Sequence, residues 1–430
     1  MIPLSIAGTA VALPQIAAQL GSTPGPLQWI VNGFNMAFAL CTLVWGLVAD
    51  RVGHDRVFRL GVTIVLVASL ASALAPSLLF LDAARVLAGI GAAAALTGAT
   101  AVLSLAWEGP ARTKAFATFG TANGVGLALG PSVCGAVVQA FGWRGTFWLP
   151  AVVLLAALSA SRAVPEACVD TGSRHVLDVS LLRNRGYLAM VLIPVAGAAG
   201  FVTFLTYLPA AFAAIHGWPA GAAGAVMLVA TLPVIVAPSS TASLMRRHNI
   251  GIGAILTVSI VCLAAGAVWM VTLGPNWPVA LVAPGMLLIG LGFGLPLGIV
   301  DGEALAHAPA SSSGSAAGML NFARIGSEAL SVAAYSALLG LLVHRQIPNS
   351  DIADRVAAGG PGDPAAYAEA LHAIALAIAV VVACLGLAVW WLRRGDHTGR
   401  GSPLTDPATV RNCPDAPNPQ SDALGAGSAP

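Results

Sequence analysis

The sequence predicts an all-α integral membrane protein, with twelve transmembrane helices in two six-helix bundles. Three observations carry this expectation. Only 9% of the 430 residues are Asp, Glu, Lys or Arg, 57% are hydrophobic, and the mean hydropathy is +0.84. A soluble domain carries about 25% charge, so most of this surface cannot face water. The apolar residues fall in continuous runs near the roughly 20 residues that span about 30 Å of hydrocarbon, not in the alternating strands of a membrane barrel. Charge returns mainly where the runs end. Between the second and third it returns as a compact turn bracketed by glycines, Gly46-Leu-Val-Ala-Asp50-Arg51-Val-Gly53-His-Asp-Arg56.

Taken in order, the runs cover residues 2–20, 28–49, 57–76, 80–106, 113–140, 145–163, 187–212, 221–243, 251–273, 278–300, 314–343 and 366–392. Each must be helical, because in lipid the backbone amides have only each other to bond. Met1 enters the first run with no basic leader, so 2–20 reads as a retained helix rather than a cleaved signal. Residues 164–186 hold Glu166, Asp170, Arg174, Asp178, Arg183 and Arg185. They form a polar linker between a first bundle, 1–163, and a second, 187–394. Residues 344–365 read as a Gly/Pro/Asp-rich loop before the last helix. The tail from 395 to 430 has too little apolar content to fold and reads as disordered. With the amino terminus inside, the inward segments carry Arg51, Arg56, Arg59, Arg112, Lys114, Arg246, Arg247, Arg393 and Arg394 among others, and the outward ones little beyond Arg144, Arg345 and Arg355. That asymmetry predicts two cytoplasmic termini in a multi-pass protein of the plasma membrane.

Several function classes are excluded. A net charge of +2 without a basic stripe gives nucleic acid nothing to bind. No G-x-x-x-x-G-K-[ST] stretch is present, so ATP is not the energy source within this chain. The six cysteines show no paired spacing, and four lie in apolar runs, where Cys acts as a small hydrophobe. Metal or disulfide chemistry is not expected, and no Ser/His/Asp constellation at a common depth recommends an enzyme.

Four stretches of the first half align with one family. The 46–56 turn resembles the loop between helices two and three of the major facilitator superfamily. Leu81-Asp-Ala-Ala-Arg85-Val-Leu-Ala-Gly89-Ile-Gly91 resembles its fourth-helix motif, and Gly126-Leu-Ala-Leu-Gly130-Pro131-Ser-Val-Cys-Gly135 the fifth-helix motif of its antiporters. Ala10-Val-Ala-Leu-Pro14, with Leu27-Gln28-Trp29, is similar to the start of the drug:proton antiporters usually built with fourteen helices. Trp143, Arg144 and Phe147 fit the entry to helix six in that group, and the resemblance recurs over Gly318–Gly326. The extra helix pair of that group is absent between the two halves here.

The resemblance assigns roles. Gly46, Asp50, Arg51, Gly53 and Arg56 form a conformational latch, with Asp50 pairing across to basic groups and a helix end of the opposite half. His54 and Asp55 depart from the family, which places basic residues there. Arg85 serves substrate binding or proton movement. A lone guanidinium in a membrane helix needs a partner, and Asp82 is the nearest candidate on its face. Gly126, Gly130 and Gly135 permit close helix approach while Pro131 bends the rod, a feature the family links to export. Another departure is the acid of helix one, where Ser5 stands, and the Asn, where Ala10 stands. The family's proton site therefore cannot be transferred.

The remaining acids at membrane depth are the candidates. Arg324 and Glu328, four residues apart on one helix face, are expected to line the central cavity. Asp301 or Glu303 supplies a protonatable carboxylate, unless both are end-of-helix charges at the mouth, since the apolar run stops at Val300. The expected function is export of a small amphiphilic drug or secondary metabolite in exchange for protons by alternating access. The proton gradient replaces any cofactor, no metal is involved, and the bilayer and a small-molecule substrate are the partners of a functional monomer. The alternatives are an importer or symporter on the same scaffold and a transport-inactive receptor.

Overall fold

The computed structural model describes residues 24–394 apart from 108, 162–178, 219, 310, 311, 358 and 361, together with parts of 9–20. Side chains at 24–28, 109, 110, 127, 128, 131, 132, 160, 161, 179, 180, 220, 221, 351 and 355 are also outside the description. Most of the 164–186 linker and the whole 395–430 tail fall outside it, as do Ser5 and Ala10.

Helix follows helix among the described residues: α1 (Pro24–Val52), α2 (His54–Ala73), α3 (Leu78–Ala106), α4 (Gly109–Phe141) and α5 (Gly145–Ser161) in the first half. The second half contributes α6 (Arg185–His216), α7 (Ala222–His248), α8 (Ile252–Thr272), α9 (Val279–Ala306), α10 (Ser313–Gln346), a short α11 (Ser350–Ala357) and α12 (Pro364–Arg394). Nine of these spans are long and apolar enough to cross a membrane. A further bent pair, the end of α4 with α5, turns through 117° at Gly142–Arg144. The 344–365 loop contains α11, which the sequence reading missed because its charged, eight-residue stretch is no span.

Chemistry at the ends fixes where helices start and stop. Ser77 caps α3 by accepting from Phe80 N, and Asn184 caps α6 by accepting from Tyr187 N. Gly217 (φ 66°) and Asn249 (φ 50°) close α6 and α7 in the left-handed conformation. Two spans are irregular inside. A π-helical turn, Ala198–Val202, interrupts α6 just after Pro194. In α9 the regular helix stops at Gly294 and resumes at Ile299, with Pro296 and left-handed Gly298 (φ 80°) between.

The largest apolar core lies among α6–α12, with Phe116 of α4 reaching into it. Smaller cores fill α1–α3 and α5, and the junction of residues 12–20 with Ile30, Trp143 and Phe147. The chain alternates faces, so α1 ends, α2 begins, α9 ends and α10 begins on one face, called here the Asp50 face. A Cβ on Gly46 would come within 2.6 Å of Gly314 O, and one on Gly124 within 2.6 Å of Val234 O. Gly298 and Gly120 of α4 make a third close approach around Phe116 and Leu297. The Gly46 and Gly298 contacts lie in the part of each helix nearer the Asp50 face, and the Gly124–Val234 contact lies at mid-helix. The burial of α10 changes accordingly. Every residue from Ser313 to Asn321 is buried, but beyond Phe322 only Ile325, Tyr335, Leu339 and Val343 are.

Candidate functional site

Asp50 is buried at the end of α1 and meets the first turn of α10. Its Oδ1 accepts from Gly314 N (2.7 Å), and its Oδ2 accepts from Ser315 N (2.8 Å) and Ser315 Oγ (2.5 Å). Those amides are among the four that a helix start leaves without intrahelical partners, and the positive end of the helix dipole favours a carboxylate there. The partner in the opposite half is thus a helix start. The residue beside it is His54, not a basic side chain. Fully buried, it sits 3.1 Å from Ser313 Oγ and 4.0 Å from Asp50 Oδ1 through Nε2. Gly46 permits the crossing, because a side chain on Gly46, Gly314 or Gly318 would strike backbone or Asp50. Gly53 (φ 107°) turns the chain into α2, while Arg51 and Arg56 are exposed beside the contact.

Arg85 is fully buried in α3. Its Nε donates to Ile30 O (3.3 Å), and its guanidinium stacks on Phe34 (4.4 Å) and Phe147 (5.7 Å). The expected pairing of Asp82 with Arg85 is not seen among the described residues. Asp82 is half-buried with Oδ1 lacking a hydrogen-bond partner, and aromatic faces, which attract cations, surround the guanidinium. Gly126, Gly130, Pro131 and Gly135 lie within α4.

The acids of the second half separate cleanly. Asp301 is 1% exposed and forms an ion pair with Arg324, which also donates to Asn321 Oδ1 (3.4 Å). It lies in the first turn of the resumed α9, not at a mouth, because that helix runs on to Ala306. Glu303 is half-buried, two residues nearer the Asp50 face. Glu328 is half-buried one turn beyond Arg324. Beside Arg324 a small crevice of about 30 Å³ is bounded by Gly197, Ser259, Phe293, Pro296 and Val300. Ser259 Oγ donates to Gly292 O, and Phe201 stacks on Phe293 at 4.4 Å. The irregular turns of α6 and α9 and the buried ion pair therefore surround one point, and broken helices near mid-membrane commonly mark transport sites. About ten residues, or roughly 15 Å of helix rise, separate Arg324 from the Asp50 contact on the same rod.

Sequence reasoning missed the receiving end of the Asp50 contact, although the small-residue run Ser313-Gly-Ser-Ala-Ala-Gly318 was there as a signal. It also missed the aromatic lining of Arg85. The polar residues Thr203, Thr206 and Tyr207 hydrogen-bond to helix backbone, Tyr207 OH reaching Val332 O across to α10.

A fold of this kind with a charged contact between its halves defines a membrane transporter. The profile of the major facilitator superfamily matches residues 1–332, and the chain belongs to that family. The puromycin resistance protein pur8 of Streptomyces alboniger is 26% identical over 467 aligned positions, covering 91% of this chain and 90% of that protein. The cephamycin export protein CmcT of Amycolatopsis lactamdurans is 33% identical over 47% of this chain and 46% of its own length. The solved proton:xylose symporter XylE shares the fold, with a TM-score of 0.67 at 13% identity over 91% of this chain and 94% of that one. The protein is a multi-pass transporter of small molecules, not an enzyme.

Proposed function

We propose that the chain exports a small amphiphilic organic molecule, a drug or secondary metabolite, in exchange for protons by alternating access. The observation that carries this reading is α10, enclosed by both halves near Asp50 and covered on one side only beyond Phe322. It is the arrangement of a transporter closed at one face. The Asp50 face is the cytoplasmic one in this reading, since Arg51, Arg56, Lys114, Arg246, Arg247, Arg393 and Arg394 gather there. The relatives named for resistance and export support the outward direction.

Asp50 holds α10 by three hydrogen bonds while the cavity faces outward. A proton arriving at Asp301 removes the negative charge paired with Arg324, and the guanidinium loses its electrostatic hold on α9. With that hold weakened, α10 tilts, Asp50 leaves the Gly314 and Ser315 amides, and the cavity opens inward. Release of the proton inside and entry of substrate restore the pair. Inside-out vesicles carrying Asp301→Asn and Glu328→Gln test the coupling. Substrate-driven proton movement should fall at least about tenfold in one of them, and unchanged pH-dependent transport in both would sink the proposal.

Ser5, where the family places an acid, favours a second reading as a transport-inactive receptor. Cells expressing the chain would then gain no resistance to any compound of a toxic panel.

A further inference from the structure

The basic and aromatic side chains at the Asp50-face end of the second half take no part in the Asp50 contact or the Asp301–Arg324 pair. We propose that they bind the anionic headgroup of a phospholipid from the leaflet on that face. Three helix ends converge there: the start of α6, the start of α8 and the end of α12. The Arg185 guanidinium lies 5.4 Å from the Trp391 ring centroid, and that of Arg394 lies 3.5 Å from Trp390. Arg393 packs against the start of α8, where a Cβ on Gly253 would come within 3.3 Å of its Nη2.

Two features point to an anionic lipid. The charge is unanswered, because among the described residues no carboxylate forms an ion pair with Arg185, Arg393 or Arg394, whereas Arg324 has Asp301 and Arg59 has Asp55. Guanidinium groups take phosphate oxygens in pairs. Arg185 and Arg394, stacked on the adjacent indoles of Trp391 and Trp390, offer two such groups, with Arg393 adding charge on the α8 side of the same helix end. Trp390 and Trp391 are 49% and 62% exposed in the last turn of an apolar helix, the level at which indole rings sit between acyl chains and headgroups. Stacking on those rings holds Arg185 and Arg394 at headgroup depth. A free phosphate ion offers the same oxygens but no chains to cover the indoles, so the lipid is the better occupant.

The test uses the full chain in nanodiscs of phosphatidylcholine containing either acyl-brominated phosphatidylglycerol or acyl-brominated phosphatidylcholine at equal fraction. The tryptophan quenching that disappears in a W390F/W391F variant is the readout. The anionic lipid should quench more, with local enrichment of about fivefold for each arginine engaged. In R185Q/R393Q/R394Q the excess should vanish, while the remaining quenching by brominated phosphatidylcholine shows the indoles still seated in the membrane. Equal quenching by both lipids in the unaltered chain, or an excess that survives the triple substitution, overturns the proposal. Inorganic phosphate that abolishes the excess where sulfate of equal ionic strength does not would make this a site for the free ion and also overturn it.

Discussion

Asp50 accepts three hydrogen bonds from a single turn of a helix in the other half of the molecule. A hydrogen bond to a charged group contributes about 1.5–3 kcal/mol, so this contact alone biases the two halves toward closure at its face. Asp50→Asn keeps the shape and removes the charge. The closed-to-open ratio should fall some 30-fold, about 2 kcal/mol, read as longer distances between spin labels at Lys114 and Arg246 in a cysteine-free background. No change in that distance distribution would show that Asp50 is an ordinary helix cap. Asp301 makes a different prediction. Breaking a buried ion pair by removing one partner costs about 3 kcal/mol or more, so Asp301→Asn should lower the melting temperature markedly. Replacing Arg324 by Gln in the same chain should recover part of that loss. If the two substitutions add, the pair is not coupled as its geometry requires.

Close approach of backbones decides the element scale. Gly298 stands at φ 80°, and a Cβ there would collide with Phe116 O of the first half. Gly298→Ala should both strain the break in α9 and push the halves apart, lowering stability by more than about 1 kcal/mol and abolishing transport. Gly326 on α10 has open space around it, so Gly326→Ala should leave stability within about 1 kcal/mol. Equal effects of the two would contradict the packing described. Much of this architecture was legible in the sequence, because a membrane helix announces itself by length and apolarity alone. The turn at Gly46–Arg56 and the lone Arg85 were legible for the same reason, as charge stands out against lipid. Less legible were contacts made by backbone, such as the α10 amides that receive Asp50, since every residue carries the same amide. Asp301 was ambiguous because its burial depends on where Arg324 comes to lie, a fact of tertiary packing rather than of local pattern. The eight residues of α11 escaped notice because they are too short and too charged to read as a span.

For the whole molecule, α10 links the two candidate devices as one rod, with Asp50 at its start and Arg324 about three turns on. In the proposed cycle this couples the faces, one opening as the other closes. The same two helices, α4 and α7, permit the decisive measurement. Spin-label pairs at Lys114 and Arg246 report the Asp50 face, and pairs at Phe141 and Ala222 report the other, with the full chain in nanodiscs across a range of pH. The account predicts opposite changes, the first distance lengthening as the second shortens, and both shifts lost together in Asp301→Asn. Distances that move in the same direction, or an Asp50 face that stays closed while transport proceeds, would contradict it.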